Sequence, residues 1–157
     1  LPRWLAALLA MDAVVLVEGQ TGPKEVPLQQ LLEGQVEGDI SALRVPPEGP
    51  NRCWGEAHVA RTPADEPIVA AIAVVTVTDD VVQQARVALT GVWPGPVRLA
   101  HAPARLVGGP LTGERIQAVA DAVAEEVAPE GDYLGSAAYR RAMAGVVTRR
   151  ALEQCMG

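Results

Sequence analysis

A chain of 157 residues is long enough for one domain with its own core, or for two small modules sharing an interface. Its net charge of −6 excludes a general nucleic-acid or anionic-membrane binder, which needs a basic face to release counterions. Half of the chain is hydrophobic (49%), yet there is no Phe and there are only three Trp and two Tyr, so the expected core is built from Ala, Val and Leu. Lys24 is the one lysine, which removes lysine-based mechanisms. Cys53 and Cys155 lie far apart with no CxxC or metal spacing; they read as reduced, packed thiols, with a single bridge left open. No apolar run approaches the ~20 residues that span a bilayer. The opening "LPRWLAALLAMDAVVLVEG" is interrupted by Asp12 and has no cleavage site, so it does not read as a signal peptide, and the expected location is cytoplasmic. Leu1 falls where a helix is already under way, which points to a piece of something longer.

In chain order, residues 2–11 fit a short helix with Pro2 in its first turn. "AVVLVEG" and "KEVPLQQLL" are apolar runs joined by "QTGP", the mark of a hairpin, and "QQLLEG" suits a helical turn ended by Gly34. "DISALRVP" alternates Ile40, Ala42 and Arg44 against Ser41, Leu43 and Val45, a strand that Pro46 stops. "PPEGPN" (46–51) is the best module boundary, dividing residues 1–46 from residues 52–157. Beyond it, "WGEAHVART", "IVAAIAVVTV" and "VVQQARVALTGV" predict a three-stranded antiparallel meander, turned by "PADEP" and "TDD" and broken by "WPGPVRL".

The remainder reads as helical: a short helix over 100–107, one from a Thr112 cap to about Val127, and one after Ser136. The fold class is therefore α+β, a three-stranded antiparallel sheet with a layer of about three helices on one face. On the last helix Tyr139, Met143, Val146 and Val147 share a stripe that Arg150 continues, while Arg140, Arg141 and Arg149 splay away. Two readings of these arginines stand. Arg149 and Arg150 complement the helix C-terminal dipole and snorkel, or one or two of the arginines pair with carboxylates such as Asp132 or with acids of a partner subunit.

Catalytic patterns are missing from the sequence. His58 and His101 stand alone, and Ser41 and Ser136 are the only serines, neither in a nucleophile elbow. "LVGGPLTG" lacks the Lys-Ser/Thr of a P-loop and reads as a connection between helices, and "TPADEP" reads as a solvated turn.

The order of these segments resembles the FAD-carrying middle subunit of the molybdenum hydroxylases, the family of carbon monoxide dehydrogenase and xanthine dehydrogenase flavoproteins. "GSAAYRRAMAGVVTRRAL" is similar to the family's closing Ser-x-x-Tyr-Arg-Arg … Arg-Arg-Ala-Leu segment. "ARVALTGVWPGPVRLAHAPARLVGGPLT" resembles the stretch before it, and "HVARTPADEPIVAAIAVV" the strand pair that opens the C-terminal domain. The resemblance implies that 1–46 is the tail of an FAD-binding domain and 52–157 the flavoprotein C-terminal domain. It implies that the two Gly-rich loops cradling the FAD pyrophosphate belong upstream of Leu1. It also implies that Ile40, Ser41 and Leu43 line the isoalloxazine side, with His58 where relatives place a Lys and Ser41 where they place an aliphatic residue. The expected partners are a molybdenum-cofactor subunit and an iron–sulfur subunit, with FAD passing electrons from the clusters to an acceptor and no FAD held by this chain alone. A stand-alone binding or assembly module without the cofactor is the rival expectation.

Overall fold

A computed structural model describes residues 2–157. Helix α1 (Pro2–Ala10) ends where Asp12 enters the left-handed region at φ 60°. There the Asp12 N–H donates to the Leu9 carbonyl (3.1 Å) and the Ala13 N–H to the Leu8 carbonyl (2.9 Å), a closure that satisfies two orphan carbonyls. The chain leaves it as β1 (Val14–Gly19), which hairpins through Gln20 and Thr21 into β2 (Gly22–Pro27). The short helix α2 (Leu28–Leu32) follows and stops before Gly34, whose φ of 71° favours glycine. β3 (Asp39–Arg44) then returns to the free edge of β1, completing a sheet of order β2-β1-β3. Helix, hairpin, helical turn and strand all fall where the sequence places them.

The second sheet begins with β4 (Arg52–Val59), β5 (Val69–Thr78) and β6 (Val81–Thr90) as an antiparallel meander. Asp79 and Asp80, at φ 51° and 60°, make the two-residue turn that matches strand twist. The sheet has a fourth strand, β7 (Val97–Leu99), pairing Leu99 with Ala88 and Val97 with Thr90. This corrects the three-stranded expectation. "WPGP" reverses the chain without ending the sheet, and three residues are too few to display alternation.

The helical layer holds a 3-10 turn (Ala102–Leu106), α3 (Gly113–Glu126) and α4 (Ala137–Glu153). The Thr112 and Ser136 hydroxyls cap α3 and α4 as expected, accepting from the N–H groups of Arg115 (3.4 Å) and Tyr139 (3.1 Å). The sheet, however, is covered on both faces. Every residue of β5 from Val69 to Val75 is buried. Val69, Ala71, Ala73 and Val75 join the core under α3 and α4, whereas Ile72 and Val74 join Ala6, Leu9 and Ala10 of α1 on the opposite side. A strand buried twice shows no alternation, so the sequence could not announce its second cover.

The face of α4 also differs from expectation. Its buried residues are Arg140, Ala144, Val147, Thr148, Ala151 and Leu152. Val147 alone carries over as fully buried; Met143 and Val146 are half-buried, and Tyr139 and Arg150 are exposed. Small residues decide the rotation. Ala144 and Ala151 let the helix lie close to the sheet, and a Cβ on Gly55 of β4 would fall 2.0 Å from the Ala151 carbonyl oxygen. Bulk at Tyr139 and Met143 is pushed to the flank.

Candidate functional site

β3 is the outer strand of the small sheet, and all six of its residues are exposed. Ile40 and Leu43 retain 55% and 44% of their accessible surface, so the chain presents an aliphatic strip with one strand edge open. Ser41 sits at an irregularity of the pairing: Leu16 faces Ala42 while Val17 faces Ile40, leaving Ser41 as the extra residue. Its hydroxyl donates to the Leu16 carbonyl (3.3 Å), a local reason for a hydroxyl side chain at that position.

His58 lies elsewhere, on β4, the outer strand of the four-stranded sheet. Its Nδ1 is 3.6 Å from a Glu56 carboxylate oxygen that also pairs with the Arg3 guanidinium. The structure thus brings Ile40, Ser41 and Leu43 together on one strand and ties His58 to Glu56 and α1. Beside this chain of charges lies a cavity of about 630 Å³, lined by Arg3, Trp4, Glu56, Pro63, Pro67 and Ile72 among others. Trp4 and Trp54 stand exposed nearby in the fold, on α1 and β4.

Arginines make the fixed points of the molecule. Arg140, 6% exposed, donates through Nη1 to the Ile68 (2.8 Å) and Gly91 (2.9 Å) carbonyls and through Nη2 to both Asp132 oxygens (2.8 Å each). Asp132 also accepts from the N–H groups of Leu134 and Gly135. Its carboxyl is held below the usual carboxylate range, above all by the Arg140 hydrogen bond, which outweighs the opposing effect of burial, with the two backbone donors and the Arg140 charge adding to it. The expectation that an arginine of the last helix pairs with Asp132 therefore holds. The residue that does so is one that the sequence turned away from the sheet, and Arg150 is exposed. Arg86 and Arg52 work at the other face. Arg86 donates through Nε and Nη2 to the Leu9 carbonyl and pairs with Asp12, and Arg52 donates to the Met11 carbonyl (2.7 Å). Both cations sit at the negative end of α1, where helix carbonyls lack partners. Only their positions just past a turn and within an otherwise apolar strand hinted at this.

A flat ring system can rest on an aliphatic strip such as Ile40 and Leu43, whereas a pyrophosphate needs several converging N–H donors or cations. The one Gly-Gly segment is engaged otherwise. The Gly108 N–H donates to the Val82 carbonyl (2.9 Å), the Val82 N–H donates to the Gly109 carbonyl (2.8 Å), and a Cβ at Gly109 would meet the Arg115 guanidinium at 2.6 Å. It is a structural connection, as the sequence reads. Among the described residues no three His, Cys, Asp or Glu side chains gather as a metal site requires, and no helix is long and apolar enough to cross a membrane. The arrangement offers surfaces and fixed geometry.

Residues 57–155 match the family model of the CO dehydrogenase flavoprotein C-terminal domain. The chain is 31% identical over 153 residues to the carbon monoxide dehydrogenase medium chain of Hydrogenophaga pseudoflava, covering 94% of this chain and 53% of that one. It is 27% identical over 155 residues to the nicotine 6-hydroxylase medium subunit of Paenarthrobacter nicotinovorans, covering 96% and 54%. It superposes with TM-score 0.82 on carbon monoxide dehydrogenase from Hydrogenophaga pseudoflava in a form lacking the Mo-pyranopterin moiety of the molybdenum cofactor, at 31% identity, covering 96% of this chain and 55% of that one. Quinoline 2-oxidoreductase from Pseudomonas putida 86 shares the fold, with TM-score 0.78 at 22% identity over 96% of this chain and 54% of that one. The chain spans about half the length of the curated relatives it matches. With well over half its residues under the family model, the chain belongs to the CO dehydrogenase flavoprotein C-terminal domain family.

Proposed function

We propose that this chain is the C-terminal part of the flavoprotein subunit of a cytoplasmic molybdenum hydroxylase, acting as scaffold and docking surface beside a molybdenum-cofactor subunit and an iron–sulfur subunit. One observation carries the reading. The likeness to the Hydrogenophaga pseudoflava medium chain runs over 153 residues and 94% of this chain, so it takes in β1–β3 as well as residues 57–155. Residues 1–46 are then the end of an FAD-binding domain and 52–157 the C-terminal domain. FAD in the intact subunit supplies the passage of electrons from iron–sulfur clusters to an acceptor. The part of this chain is to present Ile40 and Leu43 as an aliphatic wall for the ring, with Ser41 fixing the bulge between them. His58 stands where relatives carry a Lys, and Arg3 and Glu56 hold its strand to α1.

Two measurements test this. Chain isolated by an affinity tag from the cells that express it should carry iron and molybdenum in its complex; isolation with neither metal contradicts the reading. The purified chain titrated with FAD should leave the flavin free, because its one Gly-Gly segment is already engaged; stoichiometric flavin, seen as absorbance near ~450 nm, would contradict it.

A further inference from the structure

Cys53 and Cys155 are 102 positions apart in sequence and meet in the fold. Cys53, the second residue of β4, is half-buried, and Cys155, just past the end of α4, is 9% exposed in the same apolar cluster. The Cys53 Sγ donates to the carbonyl of Gln154, the residue before Cys155 (3.8 Å), which sets the two thiols side by side at the edge of one cluster. Both are free. Their contact is held by its surroundings. Gln154 donates to the Glu56 carbonyl (2.6 Å) and accepts from the Glu56 N–H (3.2 Å), so its amide pairs with the outer edge of β4, while the missing side chain of Gly55 lets the Ala151 carbonyl approach. Strand and helix end cannot part without breaking this pairing.

We propose that Cys53 and Cys155 form a dithiol modification site that closes to a disulfide when a small hydroperoxide reaches it. The Cys53 sulfur attacks one peroxide oxygen, breaking the O–O bond; the sulfenic acid forms and the other oxygen leaves as water or an alcohol. The Cys155 sulfur then attacks the Cys53 sulfur. The S–S bond forms, the S–O bond breaks, and the thiol proton leaves with the hydroxyl as water. Two thiols are thereby oxidised and one peroxide reduced. The order of attack follows from access: Cys53 is the more open thiol, whereas burial, with the neighbouring Cys53, pushes the Cys155 thiol up to about 12 and keeps it from being the first to meet peroxide. The bond would tie the end of α4 to β4 across a loop of nearly two thirds of the chain, so it should restrict the unfolded state strongly.

The test treats the purified chain with millimolar hydrogen peroxide, blocks remaining thiols with N-ethylmaleimide, and reads intact mass and Tm. The expected result is loss of two hydrogens with no maleimide added, a linked peptide pair containing Cys53 and Cys155, and a Tm raised by roughly 5 °C or more that a dithiol reductant reverses. Cys53→Ser should abolish both the linkage and the Tm rise while the chain still folds, and Cys155→Ala should do the same. Maleimide on both thiols after treatment, stable oxygen adducts on either cysteine alone, or linkage between two chains would overturn the proposal.

Discussion

The strands β5 and β3 show how differently the two regions of the molecule are finished. From Val69 to Val75 nothing of β5 is exposed, with helices on one face and α1 on the other; from Asp39 to Arg44 all of β3 is exposed. The four-stranded sheet is covered on both faces, while the three-stranded sheet ends in an exposed edge strand. The anchor of the first region is α1, which buries Ala6, Leu9 and Ala10 against the second sheet and has its C-terminal carbonyls gripped by Arg86 and Arg52. Residues on the two sides of "PPEGPN" therefore share one of the two apolar clusters, and α1 packs on the second sheet.

Substitutions should separate the regions most sharply where burial differs most. Val147→Asp places an unpaired charge in a fully buried site and should destabilise the chain by several kcal/mol, about 4 or more. Ile40→Asp on β3 should change Tm little, within about 0.5 kcal/mol. Denaturant melts of the two variants check this, and equal losses would mean that β3 is covered in solution.

The arginines give the next largest contrast. Arg140→Ala leaves the Ile68 and Gly91 carbonyls without their donor and should cost about 2–4 kcal/mol, whereas Arg150→Ala should stay near ~0.5 kcal/mol. The same node sets an acid response. Because the Asp132 carboxyl is depressed in the folded chain, it contributes stability that is present above its unfolded value near ~4 and lost as pH falls below that value through the folded one. Melts across that window should show a fall in wild type that Asp132→Asn lacks; parallel curves would remove the node from the acid response.

Arg86→Ala should act more weakly and more locally. It removes the second donor to the Leu9 carbonyl, which keeps the Asp12 N–H, and the partner of the Asp12 carboxylate, so a loss of about 1 kcal/mol is expected, concentrated in faster exchange of α1 amides. A uniform change over the whole chain would show that α1 and the second sheet open as one unit.

What could be read beforehand follows local physics. Thr112 and Ser136 announced their helices because a cap needs only its own turn, and "TDD" and "QTGP" announced hairpins for the same reason. The missed features depend on contacts outside their own segment, near in sequence for β7 and far for the others. β7 is a strand because Thr90–Ala88 lies beside it, and α1 covers β5 from some sixty positions away. Arg140 turns inward because Ile68, Gly91 and Asp132 supply acceptors, which a helical wheel of residues 136–153 omits. Among the residues tied to the flavin by resemblance, the bulge gives Ser41 a structural reason of its own, while His58 lies on the other sheet from Ile40 and Leu43.

Hydrogen exchange of the isolated chain, read segment by segment, tests the contrast between the regions most directly. Amides of β5 and β6 should exchange only through global opening, α1 should be somewhat faster, and residues 39–44 should exchange fastest of the strands, by orders of magnitude. Slow exchange of 39–44 equal to that of β5 would contradict the account, because it would require a cover over β3 that the chain itself provides.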